Sequence, residues 1–112
     1  MSAVELLGQA QRILNDPRPD GLSSRMAAFL ARQALELVVD QRCIEVGAPA
    51  SWASMRSKLA VLRSLDTAEA ADSAAIAWNR LSAACHVHAF ELQPSAAEVT
   101  HLCKVVASLL PA

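Results

Sequence analysis

No apolar run in this 112-residue chain approaches the roughly 18 residues that a membrane-spanning helix needs, which excludes a bilayer-crossing segment of that kind. The start, Met1-Ser2-Ala3-Val4-Glu5, lacks the basic-then-apolar layout of a signal peptide, so a cytoplasmic protein is expected. Cysteine is scarce and never occurs as Cys-x-x-Cys. Cys43, Cys85 and Cys103 are odd in number and widely spaced, which argues against a disulfide framework and for reduced thiols in a core. There is no glycine-rich loop to cradle a phosphate. An excess of either charge is missing too: ten basic and eleven acidic residues leave a net charge of -1, which argues against broad electrostatic binding to nucleic acid and leaves room for a focal basic site. Period-2 runs bounded by hairpin signals are absent, as are internal repeats, so a sheet is not expected.

What is present points to helices. Hydrophobic residues make up 54% of the chain, many of them alanine, and charged residues 19%, a globular balance. The length suits a single domain over residues 1–112, able to bury roughly 65% of the surface its unfolded form exposes. Arginine outnumbers lysine eight to two, a bias associated with high-GC bacterial genomes.

Taken in order, Ser2-Ala3-Val4-Glu5 has the form of a capping box, opening a first helix whose apolar stripe is Val4, Leu7, Gln11 and Leu14 with Leu6, Ala10 and Ile13 beside it. Two prolines and Gly21 in the stretch Pro17-Arg18-Pro19-Asp20-Gly21 end it. Ser23 or Ser24 can cap a second, central helix reaching Val46, with Gly47 as its stop. Two stripes overlap on it, Leu35, Val39, Cys43 and Val46 on one side and Leu30, Ala34, Leu37 and Ile44 on the other, while Arg32 and Glu36 form a solvated i,i+4 pair worth only about 0.2–0.5 kcal/mol. Trp52, in the following connection, is expected to plug the end of the bundle. Ser54 caps a third helix with Met55, Leu59 and Leu62 inward; Arg56 and Arg63, seven apart, share a face with Lys58 nearby, read as solvated charge rather than a phosphate-contacting patch. Asp66 and Glu69 suggest another capping box before an alanine-rich fourth helix running to His88, its alanines suited to a crowded interior or a subunit interface. Ser95 opens a fifth helix with Val99, Leu102, Val106 and Leu109 inward. The fold expected is an all-α, up-and-down bundle of four to five helices.

The fourth helix carries the chemistry. Asn79, Ser82 and His86 fall at helical spacing as one polar stripe, separate from an apolar stripe of Trp78, Leu81, Cys85 and His88. Arg80 lies on neither, because six residues at 100° each carry it about 240° from His86. The two can meet only across a dimer axis, through the arginine's length, or by distortion near the helix end. An imidazole can take or give a proton near neutral pH, and a guanidinium can stabilise charge on a phosphoryl group. The plainer alternatives are a histidine hydrogen-bonded to a neighbouring helix and an arginine paired with Glu91 or Asp72. A zinc site built from Cys85, His88, His101 and Cys103 fails because His101 and Cys103, two apart, point about 200° apart on a helix. A Cys85–His86 nucleophile fails similarly, since neighbours diverge and Cys85 sits on the apolar stripe. No metal or other cofactor is expected.

Asn79-Arg80 followed by His86 fits the Arg-x(4-6)-His pattern of the HEPN domains, the nucleotide-binding helical domains of higher eukaryotes and prokaryotes. The segments Arg25-Met26-Ala27-Ala28-Phe29-Leu30-Ala31-Arg32-Gln33-Ala34-Leu35-Glu36 and Cys85-His86-Val87-His88-Ala89-Phe90-Glu91-Leu92-Gln93-Pro94 resemble actinobacterial members in particular, and the resemblance covers about residues 22–110. It implies a dimeric bundle with the two motif helices facing each other and, in catalytic members, metal-independent RNA cleavage in toxin or defence systems. Carried over, His86 would handle the 2'-OH proton, Arg80 would stabilise the phosphorane and Asn79 would orient it, with Ser82, His88 and Glu91 as binding residues. The sequence departs from the actinobacterial members where they carry an arginine nearer the histidines, at Ser82-Ala83-Ala84. The resemblance equally implies a second possibility, a non-catalytic dimeric interaction or nucleotide-binding module such as the partner of a nucleotidyltransferase. The partners expected are a second copy, RNA or a nucleotide, or another protein, and no membrane.

Overall fold

The computed structural model describes residues 1–16, 21–86 and 94–111, which form five helices and no strand: α1 (Ala3–Leu14), α2 (Gly21–Glu45), α3 (Met55–Leu65), α4 (Ala68–Cys85) and α5 (Ala96–Ser108). The all-α bundle is therefore as expected.

Four helix starts are built the same way. The side-chain oxygens of Ser2, Ser54, Thr67 and Ser95 accept the backbone N–H three residues on, filling one of the donors a helix start leaves unpaired. Thr67 takes the place expected for Asp66. Asp66 instead ends α3, where its amide donates to the Leu62 carbonyl at 2.8 Å. Ser23 and Ser24 do not cap α2, which already begins at Gly21, and Ser24 is buried inside it. The far end of α2 is as expected: Gly47 takes a left-handed φ of 83°, its amide donates to Ile44 and that of Ala48 to Cys43, a Schellman ending that only glycine adopts at low cost.

Packing makes α2 the hub. It touches all four other helices, and around it α1 meets α5, α5 meets α4, and α4 meets α3, whereas α3 and α1 do not meet among the described residues. The ring around α2 thus has one open seam. Ala27, Ala28, Ala31, Ala34, Leu35, Val38, Val39 and Cys43 of α2 face the ring and are buried. Leu22, Met26, Phe29, Leu37 and Ile44 share another face of α2 by helical spacing and are exposed, so the second apolar stripe expected on α2 turns outward at Leu37 and Ile44. On α1 the buried line is Leu6, Ala10 and Leu14, and Val4, expected inward, is 64% exposed. On α5, Val99, Leu102, Val106 and Leu109 all point inward as expected.

On α4, Ala70, Ala71, Ala74, Ala77 and Ala84 are buried with Leu81. Small side chains let its backbone come close to its neighbours, so these alanines serve the interior of one chain rather than a subunit contact. Arg42 then straps the lower end of the bundle together: Nε and Nη2 donate to the two carboxylate oxygens of Asp66 at 2.7 and 3.0 Å, and Nη1 donates to the Leu109 carbonyl at 2.9 Å. Two expectations fail outright. Trp52 does not plug the bundle but stands 87% exposed on its connection, and Lys58 does not join Arg56 and Arg63 on the solvated face of α3. Lys58 is buried with its Nζ 2.8 Å from Asp40 Oδ1, tying α3 to α2, while both arginines are exposed.

Candidate functional site

The second half of α4 sorts its side chains by direction. Ala77, Leu81 and Ala84 face inward; Trp78, Ser82 and Cys85 lie half-buried at the edge; Asn79, Arg80 and Ala83 face solvent. The polar stripe expected of Asn79, Ser82 and His86 is therefore not one surface. Asn79 and Arg80, expected on different faces, share the exposed one.

Helical phase fails at His86 because the helix ends before it. Cys85 is the last helical residue, and His86 caps it with an extended backbone, φ −76° and ψ 138°, its amide donating to the Ala83 carbonyl at 3.2 Å. That i→i+3 bond closes a tight final turn. The fourth helix expected to reach His88 is shorter, and the exposed His86 leaves it in a direction that a 100° step does not describe. His88 and Glu91 lie outside the described residues.

Ser82 is engaged from α2. Arg32 Nε donates to Ser82 Oγ at 3.1 Å, its guanidinium carbon stands 4.0 Å from the centroid of the Trp78 ring, and Nη1 approaches Glu36 at 3.7 Å. A cation over an indole, fixed at its rim by a hydroxyl, holds both helices in register. The expected Arg32–Glu36 pair is present, but at 3.7 Å and with both side chains partly exposed it is loose. Sequence reasoning missed this use of Arg32; the signal was there, since Arg25 and Arg32 are seven apart and so share a face of α2. Arg80, by contrast, has no ion pair with Asp72 or any other described residue.

The thiols are quiet. Burial pushes the Cys85 thiol up, with the Arg32 and Arg25 charges opposing; burial likewise raises Cys43, and it drives Cys103 up to about 11. None is a ready thiolate at neutral pH. Among the described residues no three His, Cys, Asp or Glu side chains converge as metal ligands, and on α5 His101 is exposed while Cys103 is buried. No helix among them is long and apolar enough to cross a membrane.

What the arrangement offers chemically is an amide and a guanidinium exposed on the second half of α4 and an imidazole exposed just past its end. Such a set can hold a phosphodiester and move a proton on it. The chain matches no protein-family model, no curated protein and no solved structure.

Proposed function

We propose that this is a HEPN-like helical protein that acts on RNA through Asn79, Arg80 and His86. One observation carries the reading: Asn79 and Arg80 on the second half of α4 and His86 just past its end are all exposed, and Arg80 has no described partner to neutralise it. In the reaction, His86 takes the proton of the 2'-OH, a group that only RNA offers, the 2'-oxygen bonds to phosphorus as the bond to the 5'-oxygen breaks, and the products are a 2',3'-cyclic phosphate and a 5'-hydroxyl protonated by water; Arg80 stabilises the charge gathering on the non-bridging oxygens and Asn79 orients the phosphate. A second copy facing this end of α4 would supply the wall that an open surface lacks. The test is cleavage of single-stranded RNA in excess chelator, with His86→Ala and Arg80→Ala each expected to slow it at least about a hundredfold while circular dichroism stays helical. Equal cleavage by wild type and both variants removes the proposal.

A second reading, a non-catalytic interaction module, is supported by the exposed apolar stripe Leu22, Met26, Phe29, Leu37 and Ile44 on α2, which is longer than isolated surface residues require. It predicts a stable complex with a partner protein and no RNA product.

A further inference from the structure

A cavity of about 470 Å³ opens between α1 and the first half of α2, within the roughly 300–1,000 Å³ of small-molecule sites. Ile13 of α1 and Met26, Phe29 and Leu30 of α2 make its walls, and Cys85 stands at the edge where α4 ends. Two polar side chains reach the lining, Gln9 and Arg25. Arg25 is the unusual one. Its guanidinium makes no ion pair with a described residue, and its Nε has no acceptor among the described residues. A permanent cation with no carboxylate beside it, at the lining of an apolar cavity, favours an anion that brings its own acceptors.

We infer that this cavity binds a small carboxylic acid with an unbranched apolar tail, its carboxylate on the Arg25 guanidinium and its tail along Met26, Phe29 and Leu30. The charge count selects the head group. Arg32, the next cation on that face of α2, is already spent on Glu36, Ser82 and Trp78, so one guanidinium faces the ligand. A monoanionic carboxylate matches it; a phosphate monoester, carrying about two negative charges at neutral pH, would lack a second cation. The walls select the tail, since flexible methionine and flat phenylalanine shape themselves to a slender chain. The site shares no residue with Asn79, Arg80 or His86 and stands or falls apart from them.

Isothermal titration of the full chain with decanoate, octanoate and decanol tests this. Decanoate should bind one to one, at least about tenfold tighter than decanol, which has the tail without the charge. Octanoate, two methylenes shorter, should bind roughly tenfold more weakly than decanoate. Arg25→Met should erase the preference for decanoate over decanol while decanol still binds, which a merely structural arginine would not do. Equal binding of decanoate and decanol, or no saturable binding of decanoate, overturns the inference; if Arg25→Met does not fold, the ligand comparison decides alone. Sedimentation with phosphatidylglycerol vesicles, in place of binding to free decanoate, also overturns it and assigns the apolar stripe to a lipid surface.

Discussion

Replacing Arg42 by alanine is the perturbation with the largest consequence that can be worked from the geometry. Three donors are lost at once, two to Asp66 and one to the Leu109 carbonyl. Asp66 is left with the Thr67 amide, at 2.8 Å, as its one remaining donor among these contacts. The two side chains are 22% and 8% exposed, so the orphaned carboxylate is nearly dry while the guanidinium is partly screened. Breaking a buried pair from one side costs about 3–5 kcal/mol, and partial exposure discounts this to about 2–3 kcal/mol here. For a domain of this size that is a fall in Tm of about 10 °C. Asp66→Asn keeps an acceptor for Thr67 and leaves the better-solvated partner unpaired, so about 1–2 kcal/mol is expected. The pH dependence fixes the mechanism. The hydrogen bond from Arg42, working against burial, holds the Asp66 carboxyl below its ordinary range. A depressed carboxylate contributes its stability above the unfolded value and loses it as pH falls through the folded one, so the advantage of wild type over Asp66→Asn is constant near neutrality and shrinks only below about pH 4. Urea unfolding at pH 7 and pH 3 measures both. A loss under about 0.5 kcal/mol for Arg42→Ala, or an Asp66→Asn difference unchanged at pH 3, refutes the strap.

Three further outcomes follow from the packing. Ala77→Leu forces an added isopropyl group against a fully buried site on α4 and is expected to destabilise by about 1–3 kcal/mol in chemical denaturation, whereas Ile76→Ala beside it, exposed, stays within about 0.5 kcal/mol. Gly47→Ala costs about 1 kcal/mol from backbone conformation alone, because its φ of 83° is left-handed yet the space around an added Cβ is empty; an unchanged midpoint would contradict the Schellman ending. Timed alkylation at pH 8 followed by mass spectrometry should modify half-buried Cys85 first, with Cys43 and Cys103 reacting only as the fold opens.

Local rules carried much of this protein. The starts of α1, α3 and α5 lie in Ser2, Ser54 and Ser95 because a cap involves residues three apart, and the inward line of α5 lies in Val99, Leu102, Val106 and Leu109 because a short helix repeats reliably. Asn79, Arg80 and His86 were visible as chemistry-bearing residue types for the same reason. What the sequence left open depended on partners far away in the chain. Leu37 and Ile44 follow the periodicity of a buried face, yet they stand exposed because the four helices packed on α2 leave them uncovered. Lys58 reads as surface charge until Asp40 on another helix reaches it, and Asp66 reads as a cap until Arg42 occupies it. The grouping of the candidate site was decided in the same way: Arg32 claimed Ser82 and Trp78, and the end of α4 at Cys85 released His86 from helical phase. Helix existence and residue type are properties of neighbours along the chain; which face is covered, and which charge is spent, are settled only when the helices pack.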